Sequence, residues 1–201
     1  MIAEWDDGWW RPATRVPSPN ASARPDGALV DTVVLHSISL PPGQYGGDAI
    51  ERLFTNTLDW SAHPYFETIR GLEVSAHFLV RRDGTVLQFV PIDRRAWHAG
   101  RSSWAGRAEA NDWSIGIELE GLEGDSFEPA QYDALATLLP AIDRVRAVRH
   151  VVGHEHVAPG RKIDPGPGFD WAALAARLRW DAARIPPATL RDEQKARGPH
   201  A

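Results

Sequence analysis

Residues 154–167 read HEHVAPGRKIDPGP and crowd histidines, carboxylates, an arginine, a lysine and three prolines into fourteen positions. A plain surface loop needs turn residues, but not side chains of this kind. His154 stands at the end of VRHVVGH, which reads as a strand. Asp164 follows ten residues later, past APGRKI, where proline and glycine can fold the chain back. His36 closes a second strand-like run, LVDTVVLHS. Two imidazoles and one carboxylate converging from rigid strand ends make the three-ligand set of a catalytic zinc site, with a fourth position for water. Zinc held in this way lowers the pKa of its water to about 7. Such chemistry also needs a carboxylate as general base and a fixed positive charge beside the oxyanion. Glu118, next to the space left by Gly116, suits the first role, and Lys162, two residues from Asp164, suits the second. The residues alone leave alternatives open. His63, His77, His98, His150 and His156 compete as ligands, and Glu120 points the same way as Glu118.

The elements that must position these groups can be read from hydrophobic periodicity. LVDTVVLHS is apolar and β-branched, as a buried strand should be. SIGIELEG alternates strictly, with Ile115, Ile117 and Leu119 on one face and Ser114, Gly116, Glu118 and Glu120 on the other. SAHFLVRRDGTVLQFV contains two strand-like runs joined at Asp83-Gly84, a dipeptide favoured in hairpins. A short helix is expected around Asp48–Asn56. A longer one is expected over about 130–146, with Tyr132, Leu135, Leu138, Leu139, Ile142 and Val145 at helical spacing. Pro140 should kink or divide it. Asp170 should cap a last helix whose Trp171, Leu174 and Leu178 face inward. Residues 57–73 and 93–112 read as long connecting loops. The interleaving of strands and helices around a hairpin predicts an α/β fold, a mixed central sheet flanked by helices.

The chain has 201 residues, which fits a single domain. The expected division is a domain over residues 1–184, opening on an irregular arm over 1–28, and a mobile tail over 185–201. A formal net charge of −5 argues against a nucleic-acid partner, which would favour a basic surface. The apolar runs are too short to cross a bilayer. The acidic, then Pro-rich start MIAEWDDGWWRPATRVP does not read as a secretory signal, so a cytoplasmic location is expected. Cysteine is absent, so a metal site must use His, Asp or Glu. Twenty arginines accompany only two lysines, Lys162 and Lys195, which makes a lysine inside HEHVAPGRKIDPGP the more notable.

VLHSISLPPGQYGG, SAHPYF, VSAHFLVRRDGTVLQFVP, RAWHAGRSSWAGR, NDWSIGIELEG and GHEHVAPGRKIDPGPGFDW occur in this order along the chain. On these segments the chain resembles the AmpD-type N-acetylmuramyl-L-alanine amidases, zinc amidases related to peptidoglycan recognition proteins, over about nine tenths of its length. The resemblance implies one Zn²⁺ per chain, held by His36, His154 and Asp164, with Glu118 as catalytic acid and Lys162 as catalytic lysine. It also implies substrate contacts at Ala96, Trp97 and Arg107. An arginine could grip the carboxylates of a peptide stem bidentately, and Trp97 could pack on the sugar or serve as a core aromatic. The implied substrate is a small muropeptide carrying a 1,6-anhydro sugar, taken by a monomer without nucleic acid or membrane. A non-catalytic peptidoglycan-binding module is the alternative. Three residues depart from the family pattern: Ser37, Glu73 and His156, the last expected at the surface.

Overall fold

The two runs that carry His36 and Glu118 lie side by side in parallel at the centre of a sheet, with Glu118 directly opposite His36. The computed structural model describes residues 4–186. Four two-residue strands open the chain: β1 (Trp5–Asp6), β2 (Trp9–Trp10), β3 (Thr14–Arg15) and β4 (Ala21–Ser22). They are followed by β5 (Thr32–Ile38), α1 (Ala49–Phe54), α2 (Pro64–Thr68), β6 (Phe78–Val80) and β7 (Val86–Gln88). Next come β8 (Arg95–Ala96), β9 (Ser103–Trp104), β10 (Arg107–Ala108), α3 (Ala110–Trp113) and β11 (Ser114–Glu120). The last elements are α4 (Pro129–Arg146), β12 (His150–Gly153), α5 (His154–Val157) and α6 (Trp171–Leu178).

The main sheet has the order β12–β5–β11–β6–β7–β3. Its pairings are parallel except for the β6–β7 hairpin, so the sheet is mixed, as the sequence predicts. One face carries Val33, Leu35, Ile115, Ile117 and Leu119, packed against Leu135, Leu138, Leu139 and Ile142 of α4 and Trp171 and Leu174 of α6. Burying such aliphatic side chains contributes about 1.5–3 kcal/mol each. The opposite face is covered in two parts. Leu79, Leu87 and Phe89 meet Ile50, Leu53 and Phe54 around α1, together with Phe66 of α2. Val34 and Val152 meet Ala99, Ala110, Trp113 and Val157. Between these two covers lies a cavity, with His36 and Glu118 in its wall. That cavity is the site.

Several expectations are corrected by the fold. The N-terminal arm is not wholly irregular: β3 forms an edge of the main sheet, and β4 pairs with β8. Its course is set by polar anchors, with Gln88 accepting from the Trp10 amide (2.7 Å) and donating to the Gly8 carbonyl (2.8 Å). The connection over 57–73 contains α2 and a 3-10 turn, and 93–112 contains β8, β9, β10 and α3. Pro140 does not divide α4, which runs unbroken for 18 residues. Val145 is exposed rather than inward. Asp170 caps α6, accepting from the amides of Ala172 and Ala173. Ile185, assigned to the tail, is buried against the core. The rest of the expected tail from residue 187 on, including Lys195, lies outside the described residues.

Candidate active site

His36 is delivered by β5, two residues before the strand ends. Asp164 and His154 are brought together by the segment that raised the question of function. His154 begins the single turn α5 rather than a loop. The Glu155 amide donates to the Asp164 carbonyl (3.0 Å), which ties the two ends of HEHVAPGRKID side by side. The Glu155 carboxylate accepts from the Gly166 amide (3.0 Å) and clamps the return. His156 is buried, not at the surface. Its Nδ1 accepts from the Gly153 amide (2.7 Å), and its ring packs edge-on against Trp171. The prolines and the backbone bonds thus make a rigid bracket, and His156 is one of its internal ties.

The bracket places three atoms around one point. His36 Nδ1 lies 2.9 Å from His154 Nδ1 and 3.1 Å from Asp164 Oδ2, and His154 Nδ1 lies 3.0 Å from the same oxygen. All three residues are buried. Burial, with His154 facing it, pushes His36 down to about 4, so the ring is neutral at pH 7. Burial alone would raise Asp164, but contacts from His154 and His36 hold it well below the usual carboxylate range. The donor set fits a divalent metal. His154 Nε2 faces the Ala99 carbonyl at 3.1 Å, which can only accept, so Nε2 is the donor edge of the ring and Nδ1 is the edge turned to the cluster. Nitrogen and oxygen ligands about 2.0–2.2 Å from a tetrahedral zinc stand about 3.3 Å apart, close to the spacing here. Among the described residues this is the one such group of three or more His, Cys, Asp or Glu side chains.

The three donors form part of the wall of a cavity of about 230 Å³, which Glu118, Glu123, Lys162, Trp97, His98 and Tyr65 also line. Glu118 is 8% exposed, and its Oε2 has no hydrogen-bond partner. Burial, reinforced by the charge of Asp164, pushes its carboxyl well above the ordinary value. Glu120, the competitor on the same strand face, is fully engaged: Oε1 accepts from the Gly46 amide (2.6 Å) and meets Arg81 Nη1 (3.5 Å), and Oε2 accepts from the Arg82 amide (3.3 Å). Lys162 is exposed and faces the cavity from the bracket loop.

Among the other residues singled out in the sequence, Trp97 and Ser37 line the cavity. Ala96 is fully buried in β8, and the amide of its neighbour Trp97 donates to Ser75 Oγ (3.0 Å). Arg107 is not brought to the cavity. Its Nη1 donates to Asp31 (2.7 Å), its Nη2 donates to the Leu29 carbonyl (2.7 Å), and the guanidinium lies over Trp113. Sequence reasoning treated His98 only as a competing ligand. Its Nδ1 instead lies 2.9 Å from His36 Nε2, behind the metal-facing edge. The signal was Gly116, where a Cβ would lie 2.4 Å from His98 Cγ, so only glycine leaves room for the ring.

Residues 26–167 match the family model for N-acetylmuramoyl-L-alanine amidase. The chain is 53% identical to the 1,6-anhydro-N-acetylmuramyl-L-alanine amidase AmpD of Citrobacter freundii over 173 residues, 85% of this chain and 92% of that protein. A crystal structure of an AmpD selenomethionine derivative superimposes with a TM-score of 0.84 at 51% identity, covering 89% of this chain and 99% of the other. The amidase AmiD of Escherichia coli, solved with anhydro-N-acetylmuramic acid-L-Ala-D-gamma-Glu-L-Lys, superimposes with a TM-score of 0.54 at 31% identity, over 78% of this chain and 59% of that one. A buried His-His-Asp cluster, a glutamate with a free oxygen and a match that spans most of the domain agree with one another: the chain belongs to the N-acetylmuramoyl-L-alanine amidase family.

Proposed function

We propose that the protein is a zinc amidase of peptidoglycan recycling. It hydrolyses the amide between the lactyl group of 1,6-anhydro-N-acetylmuramic acid and L-alanine in soluble muropeptides. The observation that carries this reading is the convergence of His36 Nδ1, His154 Nδ1 and Asp164 Oδ2 beside the unpartnered Glu118 oxygen. His36, His154 and Asp164 would hold one zinc ion, which when bound would supply Lewis-acid polarisation of the amide and a nucleophile at neutral pH. Glu118 takes the proton of the attacking water and passes it to the leaving amine of L-alanine. A carboxyl whose burial raises its pKa suits both halves of that exchange. Lys162, reaching in from the exposed rim, places its ammonium beside the oxyanion that develops on the carbonyl oxygen. Trp97 offers a ring to the sugar or lactyl group. Arg107, tied to Asp31, has no part in this reading.

The substrate class follows from the relatives. AmpD of Citrobacter freundii carries the anhydro sugar in its name, and AmiD was solved with an anhydromuramyl peptide. A cytoplasmic site of action accords with a substrate that is a soluble recycling product. The test pairs metal analysis with product analysis. Purified protein should hold about one zinc per chain, the stoichiometry of a mononuclear site. It should release the free stem peptide and anhydro-N-acetylmuramic acid from soluble anhydromuropeptide while leaving intact sacculi largely uncut. His154→Ala should lose both zinc and cleavage. Binding of muropeptide without zinc and without cleavage would instead identify a binding module.

A further inference from the structure

His98 and Ala99 take part in none of the steps above, yet they sit directly behind the two metal-facing histidines. His36 Nε2 meets His98 Nδ1 at 2.9 Å, and His154 Nε2 meets the Ala99 carbonyl at 3.1 Å. On the far side of its ring, His98 Nε2 lies 3.2 Å from Ser114 Oγ, and that hydroxyl lies 2.5 Å from the Ala110 carbonyl. The direction of this chain is set at its end. A carbonyl has no proton, so Ser114 must donate to Ala110 and has only one proton to give. Ser114 Oγ therefore accepts from His98, which puts the His98 ring proton on Nε2 and leaves Nδ1 as an acceptor. His98 Nδ1 in turn requires the proton of His36 to be on Nε2, leaving Nδ1 of His36 as a bare lone pair. That is the edge turned towards His154 and Asp164.

We propose that the His98–Ala99 dipeptide fixes the tautomers of both ligand histidines, His98 through a one-way chain that ends at the Ala110 carbonyl and Ala99 through its own carbonyl. The inference rests on the metal reading above and adds to it two positioning residues, His98 and Ser114. The dipeptide is itself held firmly. The amides of His98 and Ala99 both donate to Asn111 Oδ1, at 3.1 and 2.8 Å, and Arg161 donates to the Ala99 carbonyl at 2.6 Å. Gly116 leaves the space in which the His98 ring stands. Reversing the chain would place a proton on His36 Nδ1 and block that ligand. Neutral imidazoles bind a metal through the nitrogen whose opposite neighbour is tied to an acceptor, and losing such an outer partner typically costs about 10–100-fold in metal affinity.

The test needs no variant for its first arm. In the zinc-loaded protein, imidazole ¹⁵N spectra should show the proton of His98 on Nε2, with His36 and His154 protonated on Nε2 and metal-bound through Nδ1. In the second arm, zinc affinity is measured by chelator competition. His98→Phe removes the acceptor and should bind zinc about 10–100-fold more weakly than the parent. His98→Gln, whose side-chain carbonyl can accept the same proton, should recover part of that loss. Ser114→Ala should give a smaller loss and leave His98 as a mixture of tautomers, a signature that a purely packing role would not produce. A proton on His98 Nδ1 in the loaded parent would overturn the proposal. So would parent-like affinity in His98→Phe while His36→Ala loses zinc. Undiminished zinc binding in His36→Ala would overturn the metal reading itself, and this inference with it.

Discussion

The two faces of β11 are both buried, yet they are built for different purposes. Ile115, Ile117 and Leu119 pack against α4 and α6, where shape and apolar area are all that matter. Ser114, Gly116, Glu118 and Glu120 look the other way, into the gap between the two covers of the sheet. Each position there does one thing. Ser114 passes the hydrogen-bond chain from His36 on to the Ala110 carbonyl, Gly116 leaves room for His98, Glu120 anchors the 46 and 82 backbone, and Glu118 keeps one oxygen free. The contrast shows how catalytic groups can be fixed without loops. A strand whose one face is locked by a hydrophobic core holds its other face in register, and parallel pairing puts Glu118 beside His36. Within that polar face, Glu120 has both oxygens satisfied, while Glu118 lines the cavity with Oε2 free. A buried polar atom without a partner is costly, and Glu118 Oε2 carries that cost at the wall of the cavity.

The largest effect is expected from Glu118→Gln. The amide keeps the size of the side chain and removes the basic oxygen, and positioned general bases contribute about 10²–10⁴-fold. Turnover of anhydromuropeptide should fall by that order while zinc content and thermal unfolding stay near those of the parent. Single-turnover kinetics alongside metal analysis would check this. Near-parent turnover would erase the distinction between the two glutamates.

Lys162→Ala should come next, because the lysine completes the site from outside the strand. An oxyanion donor in a site screened from water is worth about 10²–10³ in rate. The loss should fall on kcat far more than on KM, with zinc unchanged. Lys162→Arg should restore little, since a planar guanidinium fork cannot occupy the place of a compact ammonium. A loss carried mainly by KM would make Lys162 a binding group and leave the chemistry entirely to the strand face.

Much of this arrangement was legible in the sequence, and what was not has identifiable physical causes. The alternation of SIGIELEG and the β-branched run before His36 gave both central strands, because each has one face in the core. The 93–112 segment read as loop because β8, β9 and β10 are two residues long each and carry no period. Of the three, β8 is held by distant partners, through the β4–β8 pairing and the Arg95–Asp112 pair at 2.5 Å, while β9 and β10 pair with each other. Arg107 sat in a segment that resembles the family, but its partner Asp31 is 76 residues away, a pairing that no local pattern reveals. His156 looked superficial among polar neighbours; only the fold brings Trp171 and the Gly153 amide against it. Ligand spacing alone makes His98 one competitor among five, whereas its place behind His36 depends on Gly116 clearing space two strand positions from Glu118.

The smallest effect is expected from Glu120→Ala, and it tests the comparison most sharply because position, strand and face are held constant. Removing the carboxylate takes an acceptor from the Gly46 and Arg82 amides and an ion-pair partner from Arg81. Arg81 keeps its closer bond to Glu51, so no buried charge is orphaned. Gly46 is exposed and Arg82 half-buried, so water can replace part of what is lost. Losing hydrogen bonds to a charged group costs about 1.5–3 kcal/mol when nothing replaces them, and the lower end applies here. Urea unfolding should therefore show a lower midpoint with an unchanged slope, while kcat stays within a few-fold of the parent. A drop in kcat comparable to that of Glu118→Gln, with stability unaltered, would mean that the satisfied glutamate and not the free one moves the proton. In that case the free Oε2 of Glu118 would no longer mark the base.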